Sequence, residues 1–206
     1  MVILYFVHVP RTGGNSIGTW LNEGKVKGKF NISYDGHAAY KDNVVEDLKK
    51  KDKVVSFTMI RDPVDLSSSL YGYIKIAALH FGHKRAKQYT FSEWLEKSHE
   101  HINFLSRFFN CYDLSTFVNP TPEVFLPSVD LAESTLKKFD YILDTKNLKR
   151  DLADMCKKEG IDYPLNSHIG AYPKPEVSEH DIKRIKEISS RDYELMARIA
   201  PHITLR

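Results

Sequence analysis

The chain has 206 residues, 42% of them hydrophobic and 28% charged, with a formal net charge of +3. That size and composition support one sizeable core, so a single domain over residues 1–206 is expected; a disordered, collagen-like or disulfide-stapled chain is excluded. Lysines and arginines stand beside nearly as many acids, which argues against a nucleic-acid binder and leaves room for an anionic ligand held locally.

Val2 to Val9 is a continuous apolar, β-branched run that stops at Pro10, as in a central strand of a parallel sheet. The start lacks the basic leader and small-residue cleavage site of a signal peptide. The expectation is a strand that opens the domain at once, without room for a membrane anchor. The Gly13-Gly14 turn follows, and Ser16 to Leu21 has helical character with Ile17, Trp20 and Leu21 on one face. Phe30 to Tyr34 reads as a second strand, ending at Asp35-Gly36-His37. Asn43 to Lys51 is a short amphipathic helix whose Lys49-Lys50-Lys51 end suits the helix dipole. Lys53 to Ile60 is another buried strand. Asp62 can cap the next helix and Pro63 suits its first turn, after which Leu66, Leu70, Ile74 and Ala77 recur at helical spacing.

Further on, Phe91 to Lys97 and His101 to Phe109 look helical, and Asn119 to Pro122 is a loop. Val129 to Lys138 reads as a helix, Phe139 to Leu143 as a strand and Asn147 to Glu159 as a helix. A loop rich in Pro and Gly runs from Tyr163 to Pro175, and Ser178 to Ile199 closes the chain as one long amphipathic helix capped by Ser178. Strands alternating with helices predict an α/β three-layer domain with a mostly parallel sheet. Cys111 and Cys156 form no CxxC pair and are expected to be reduced thiols in a cytoplasmic protein. No apolar run approaches the roughly 18 residues that a membrane span requires.

Two segments carry chemistry. In His8-Val-Pro-Arg-Thr-Gly-Gly-Asn-Ser16 a strand ends in a glycine loop and opens a helix, which directs several N–H donors and the positive end of the dipole at one point. Arg11, Thr12, Asn15 and Ser16 add side-chain donors, while Gly13 and Gly14 let the backbone approach an anion. A phosphate or sulfate is the natural ligand; the plain alternative is a tight turn with Ser16 as helix cap. The nucleotide-hydrolase pattern GxxxxGK[ST] is absent, because no Lys-Ser or Lys-Thr pair follows Gly14, which weakens a kinase reading. In the second segment, Phe57 to Tyr71, Arg61 stands at the C-terminal end of a strand and Ser69 lies about two helical turns on. Together they make a second anion site, with the arginine capable of bidentate contact. The plain alternative is a surface ion pair for Arg61 and a packing role for Ser69.

Together the two segments resemble the PAPS-dependent sulfotransferases, which use 3'-phosphoadenosine 5'-phosphosulfate (PAPS). The resemblance is to the branch containing carbohydrate O-sulfotransferases that act on heparan and chondroitin chains. There the first loop reads His-x-Pro-Lys-Thr-Gly-Gly-Thr-Ser, and the second reads Arg-Asp-Pro followed by Ser and Tyr at the spacing of Ser69 and Tyr71. Phe139 to Leu148 and Asp192-Tyr193 agree less closely. The resemblance implies a three-layer P-loop-like fold and sulfuryl transfer from PAPS to a hydroxyl, on a glycan by preference, without a metal. It implies the 5'-phosphosulfate on Arg11, Thr12, Gly13, Gly14, Asn15 and Ser16, and the 3'-phosphate on Arg61 and Ser69. Arg11 stands where the family usually has Lys and Leu66 where it often has Arg; Arg11 is expected to keep the lysine's role at the leaving oxygen, with a planar fork in place of a point donor.

A histidine after the second strand looks like the general base in several members of that branch, which points to His37, with Asp42, Glu46 and Glu100 as fallbacks. His80 with His83, and His99 with His101, have spacings a metal could use, but no cluster completes either set, and packing or surface roles are expected. Lys174 is placed to close over the nucleotide. A small-molecule kinase of P-loop architecture and a non-catalytic nucleotide- or glycan-binding protein remain the rival readings.

Overall fold

The computed structural model describes residues 2–34, 40–78, 80, 82–110, 126–162 and 172–203. Its centre is a four-stranded sheet in the order β2-β1-β3-β4, formed by β1 (Val2–Val7), β2 (Asn31–Tyr34), β3 (Lys53–Ile60) and β4 (Tyr141–Asp144). Every pairing is parallel. The continuous apolar runs explain this: alternate residues of β1 face opposite sides, and both sides are buried.

Leu4 and Phe6, with Val55, Phe57 and Met59 of β3, pack beneath Ile17, Trp20 and Leu21 of α1 (Gly14–Val26) and Leu152 and Met155 of α8 (Leu148–Glu159). On the other face, Ile3, Tyr5 and Val7 meet residues of a larger helical layer. That layer contains α2 (Asp42–Lys49), α3 (Pro63–Ile76), α5 (Phe91–Lys97), α6 (Phe104–Asn110) and α7 (Val129–Leu136). The result is helices on both faces of one parallel sheet, as the alternation of elements predicts. A short α4 (His83–Gln88) lies in a stretch whose sequence gives no helical period. Asp62 caps α3, its side chain accepting from the Val64 and Asp65 N–H groups with Pro63 in the first turn, as read from sequence.

The expected single helix over Ser178–Ile199 is two. Ser178 caps α9 (Glu179–Ile188) through a capping box with Asp181, and α10 (Ser190–Ile199) follows a break at Ser189, whose φ of −109° and ψ of 25° leave the helical region. The break has a tertiary cause. It turns the fully buried Asp192 toward α6, where its carboxylate accepts from the N–H groups of Leu105 (3.0 Å) and Ser106 (2.8 Å). Those donors have no partner within their own helix. The expected helix over His101–Phe109 likewise begins later, at Phe104, because Asn103 takes a left-handed φ of 44° and its side chain accepts from the Arg191 N–H.

His101 sits inside this layer, its ring 4.5 Å from that of Trp94, which is a packing role. Burial drives its pKa down to about 3, so the ring is neutral in the fold. A histidine with a depressed folded pKa contributes stability that is complete above its unfolded value, roughly 6.5, and lost as pH falls below it. Burial lifts Asp192 the other way, to about 6, so that group favours the fold as pH falls toward and through that value and partly offsets the loss. Between pH 7.5 and 6.0 the His101 contribution to wild-type stability should therefore fall by roughly 1 kcal/mol or less. Thermal melts of the wild type and His101→Phe across that interval test this; parallel pH profiles would remove His101 as the cause.

Candidate functional site

Strand order brings the two chemical segments together. β1 pairs with β3, with Val7 beside Thr58, so the chain leaving β1 and the chain leaving β3 emerge side by side at the C-terminal edge of the sheet. The connections out of β1 and β3 part here, toward β2 on one side and β4 on the other. Such a switch point is where open α/β sheets bind ligands.

The first loop is tightly built. Thr12 is fully buried, and its hydroxyl donates to the Val9 carbonyl at 2.7 Å. Gly13 precedes α1 at φ 92°, and Arg11 takes the same left-handed region at φ 68°. Glycine enters that region freely, whereas a side-chain-bearing residue costs about 1–2 kcal/mol there, strain typical of functional loops. Gly14 is required for another reason. A Cβ there would lie 1.8 Å from His8 Nε2, so the histidine ring closes directly on the helix start. The backbone bonds of α1 begin with the Ser16 and Ile17 N–H groups donating to the Gly13 carbonyl, at 3.0 and 3.2 Å. The N–H groups ahead of them lack intrahelical acceptors and lie at the positive end of the dipole. Gly13, not Ser16, is the cap residue, so the plain reading of Ser16 as a helix cap is corrected. Ser16 is buried within the first turn and Asn15 is exposed.

Arg61 and Ser69 join this loop. Arg61 Nη1 donates to the Arg11 carbonyl at 2.9 Å, and Arg11 Nη2 donates to Ser69 Oγ at 3.2 Å. Ser69 is 6% exposed and accepts from Arg11, which leaves its own proton for a further acceptor. Burial holds the Arg11 guanidinium below its ordinary pKa, with the neighbouring Arg61 charge acting the same way. Burial likewise lowers Arg61, against the pull of Asp65 and Asp62. Two partly desolvated guanidiniums at a helix N-terminus favour an anion between or beside them. Arg61 Nη2 lies 3.9 Å from Asp65 Oδ1, a long contact that makes the plain ion-pair reading a minor part of its environment.

One contributor the sequence reading missed is Thr145. The Thr145 hydroxyl lies 2.8 Å from the Ile60 carbonyl and 3.1 Å from that of Thr12, tying the end of β3 to the loop. Its place in the turn after β4 could have suggested it. Lys174, read as a residue that closes over the site, is held by Asp65 at 2.9 Å. Burial acts to raise the Asp65 pKa, but its bond to Lys174 and the charges of Lys174, Arg61 and Lys146 keep it below the ordinary carboxylate value. Leu66 is 1% exposed in the core, which gives it a packing role.

His37 lies outside the described residues, as do Cys111 and the loop read over Asn119–Pro122. Cys156 is a free, buried thiol. Of the fallback carboxylates, Asp42 pairs with Lys138 at 2.6 Å, Glu46 is exposed, and Glu100 Oε2 accepts from the His99 N–H. Among the described residues no group of three or more His, Cys, Asp or Glu could hold a metal ion, and no helix is long and apolar enough to cross a membrane.

The chain matches no family model and no curated protein. What the geometry defines is an α/β domain whose parallel sheet presents two arginines and a helix N-terminus at one switch point.

Proposed function

We propose that this chain is a sulfotransferase that moves a sulfuryl group from PAPS to an acceptor hydroxyl, by preference on a carbohydrate. The observation that carries the reading is the meeting of Arg61 with Arg11 and of Arg11 with Ser69, which joins both motif segments into one cationic site. A donor with phosphate at one end and phosphosulfate at the other fits such a site. The first-loop residues Arg11, Thr12, Gly13, Gly14, Asn15 and Ser16 would hold the 5'-phosphosulfate, and Arg61 with Ser69 the 3'-phosphate. PAPS supplies an activated S–O bond that breaks as the acceptor oxygen bonds to sulfur.

In this reading His37 accepts the acceptor's proton, because an alcohol is a poor nucleophile until that proton has somewhere to go. Arg11, the loop amides and the dipole of α1 stabilise the charge that grows on the departing phosphate oxygen. The two guanidiniums, with the loop amides and the dipole of α1, offset much of the donor's negative charge, so the scheme needs no metal. The protein is expected to work as a cytoplasmic enzyme.

The test combines two measurements. The desulfated nucleotide should raise the melting temperature, and labelled PAPS should pass its sulfuryl group to at least one member of a panel of glycan, phenol and small-alcohol acceptors. Nucleotide stabilisation without transfer to any acceptor points to a non-catalytic binder. Magnesium-dependent ATP turnover with no response to the desulfated nucleotide would sink the reading.

A further inference from the structure

Arg11 does more than meet Ser69. Its guanidinium carbon lies 4.8 Å from the centroid of the Tyr73 ring and 4.7 Å from that of Tyr172. The two rings meet edge-on, at 5.5 Å and 71°, and so form an aromatic corner with the cation seated in it. Tyr73 lies four residues after Ser69 on α3, so both stand on one helical face. Tyr172 reaches the corner from the loop after α8. That loop is pinned to the same face by the Lys174 bond to Asp65 and by the Pro173 carbonyl, which packs so close to Gly72 that a Cβ there would lie 2.3 Å from it. Arg11 Nε is buried with no hydrogen-bond acceptor among the described residues, so this corner is not completed by the protein's own polar groups.

From this geometry we infer that Tyr73 and Tyr172 are positioning residues for Arg11, and that their corner makes arginine, rather than lysine, the working cation of the first loop. A guanidinium can stack on rings through its faces while its edge donates to Ser69 and to an anion. An ammonium is a compact, strongly hydrated point charge without planar faces to stack on both rings or a spread fork to donate outward from between them. The left-handed backbone of Arg11 aims the side chain across to α3, where the corner fixes it. The inference rests on the first loop being the anion site of the proposed function.

A double-mutant cycle between Arg11→Lys and Tyr172→Leu tests it, read by calorimetric binding of the desulfated nucleotide and of inorganic pyrophosphate. Tyr172→Phe serves as the conservative variant, and circular dichroism melts confirm folding. Tyr172→Leu should weaken binding roughly 10-fold, the scale of a desolvated cation–π contact. Tyr172→Phe should stay within about twofold, since the ring remains. In the Arg11→Lys background the Tyr172→Leu change should have almost no effect. An equal loss in both backgrounds would overturn the inference, because Tyr172 would then act without the guanidinium. Wild-type protein that binds pyrophosphate but not the nucleotide overturns the donor assignment, and the cycle is then read with pyrophosphate. Failure to bind either overturns both.

Discussion

Replacing Arg61 with alanine should weaken binding of the desulfated nucleotide by roughly 10- to 150-fold, the equivalent of about 1.5–3 kcal/mol for a hydrogen bond to a charged group. Two losses combine. The side chain removes a positive charge from a partly buried place, and the Arg11 carbonyl loses the donor that fixes it at 2.9 Å. Arg61→Lys should recover only part of the affinity, because one ammonium cannot hold the loop carbonyl and address an anion in the plane of a fork. Calorimetry at fixed ionic strength reads the effect, with a melt alongside. A variant that melts early yet binds the nucleotide with unchanged affinity would reduce Arg61 to a structural clamp.

Replacing His37 with alanine should lower turnover by about 10²–10⁴ while leaving nucleotide affinity nearly unchanged, as expected when a positioned base is removed. The contrast with Arg61 is diagnostic, because one change acts on binding and the other on the chemical step. Full activity in His37→Ala would move the base elsewhere without touching the assignment of the anion site.

Much of the local architecture was legible in the chain itself. The run from Val2 to Val9 read as a central strand because it is almost wholly apolar, and Lys53 to Ile60 as another buried strand because apolar and β-branched residues dominate it despite Ser56 and Thr58. Asp62-Pro63 and Ser178 marked helix starts, since capping depends on residues within one turn. The helix over Ser178–Ile199 was read too long for the same reason. Its apolar period continues across Ser189, and the break appears only because Asp192 is needed at the start of α6. Gly14 could be read as a close-approach glycine, but not that the approaching group is the ring of His8.

By itself, then, the sequence determined the strand, glycine-turn and helix order at residues 2–26, the arginine at the end of β3 and the serine two turns into α3. Those features are set by periodicity and turn chemistry over a few residues. Only the tertiary structure decided that β1 lies beside β3, that Arg61 reaches the carbonyl of a residue 50 positions earlier, and that Tyr73 and Tyr172 share one cation. Such contacts depend on burying both faces of the sheet at once, a condition that no local window of the chain contains.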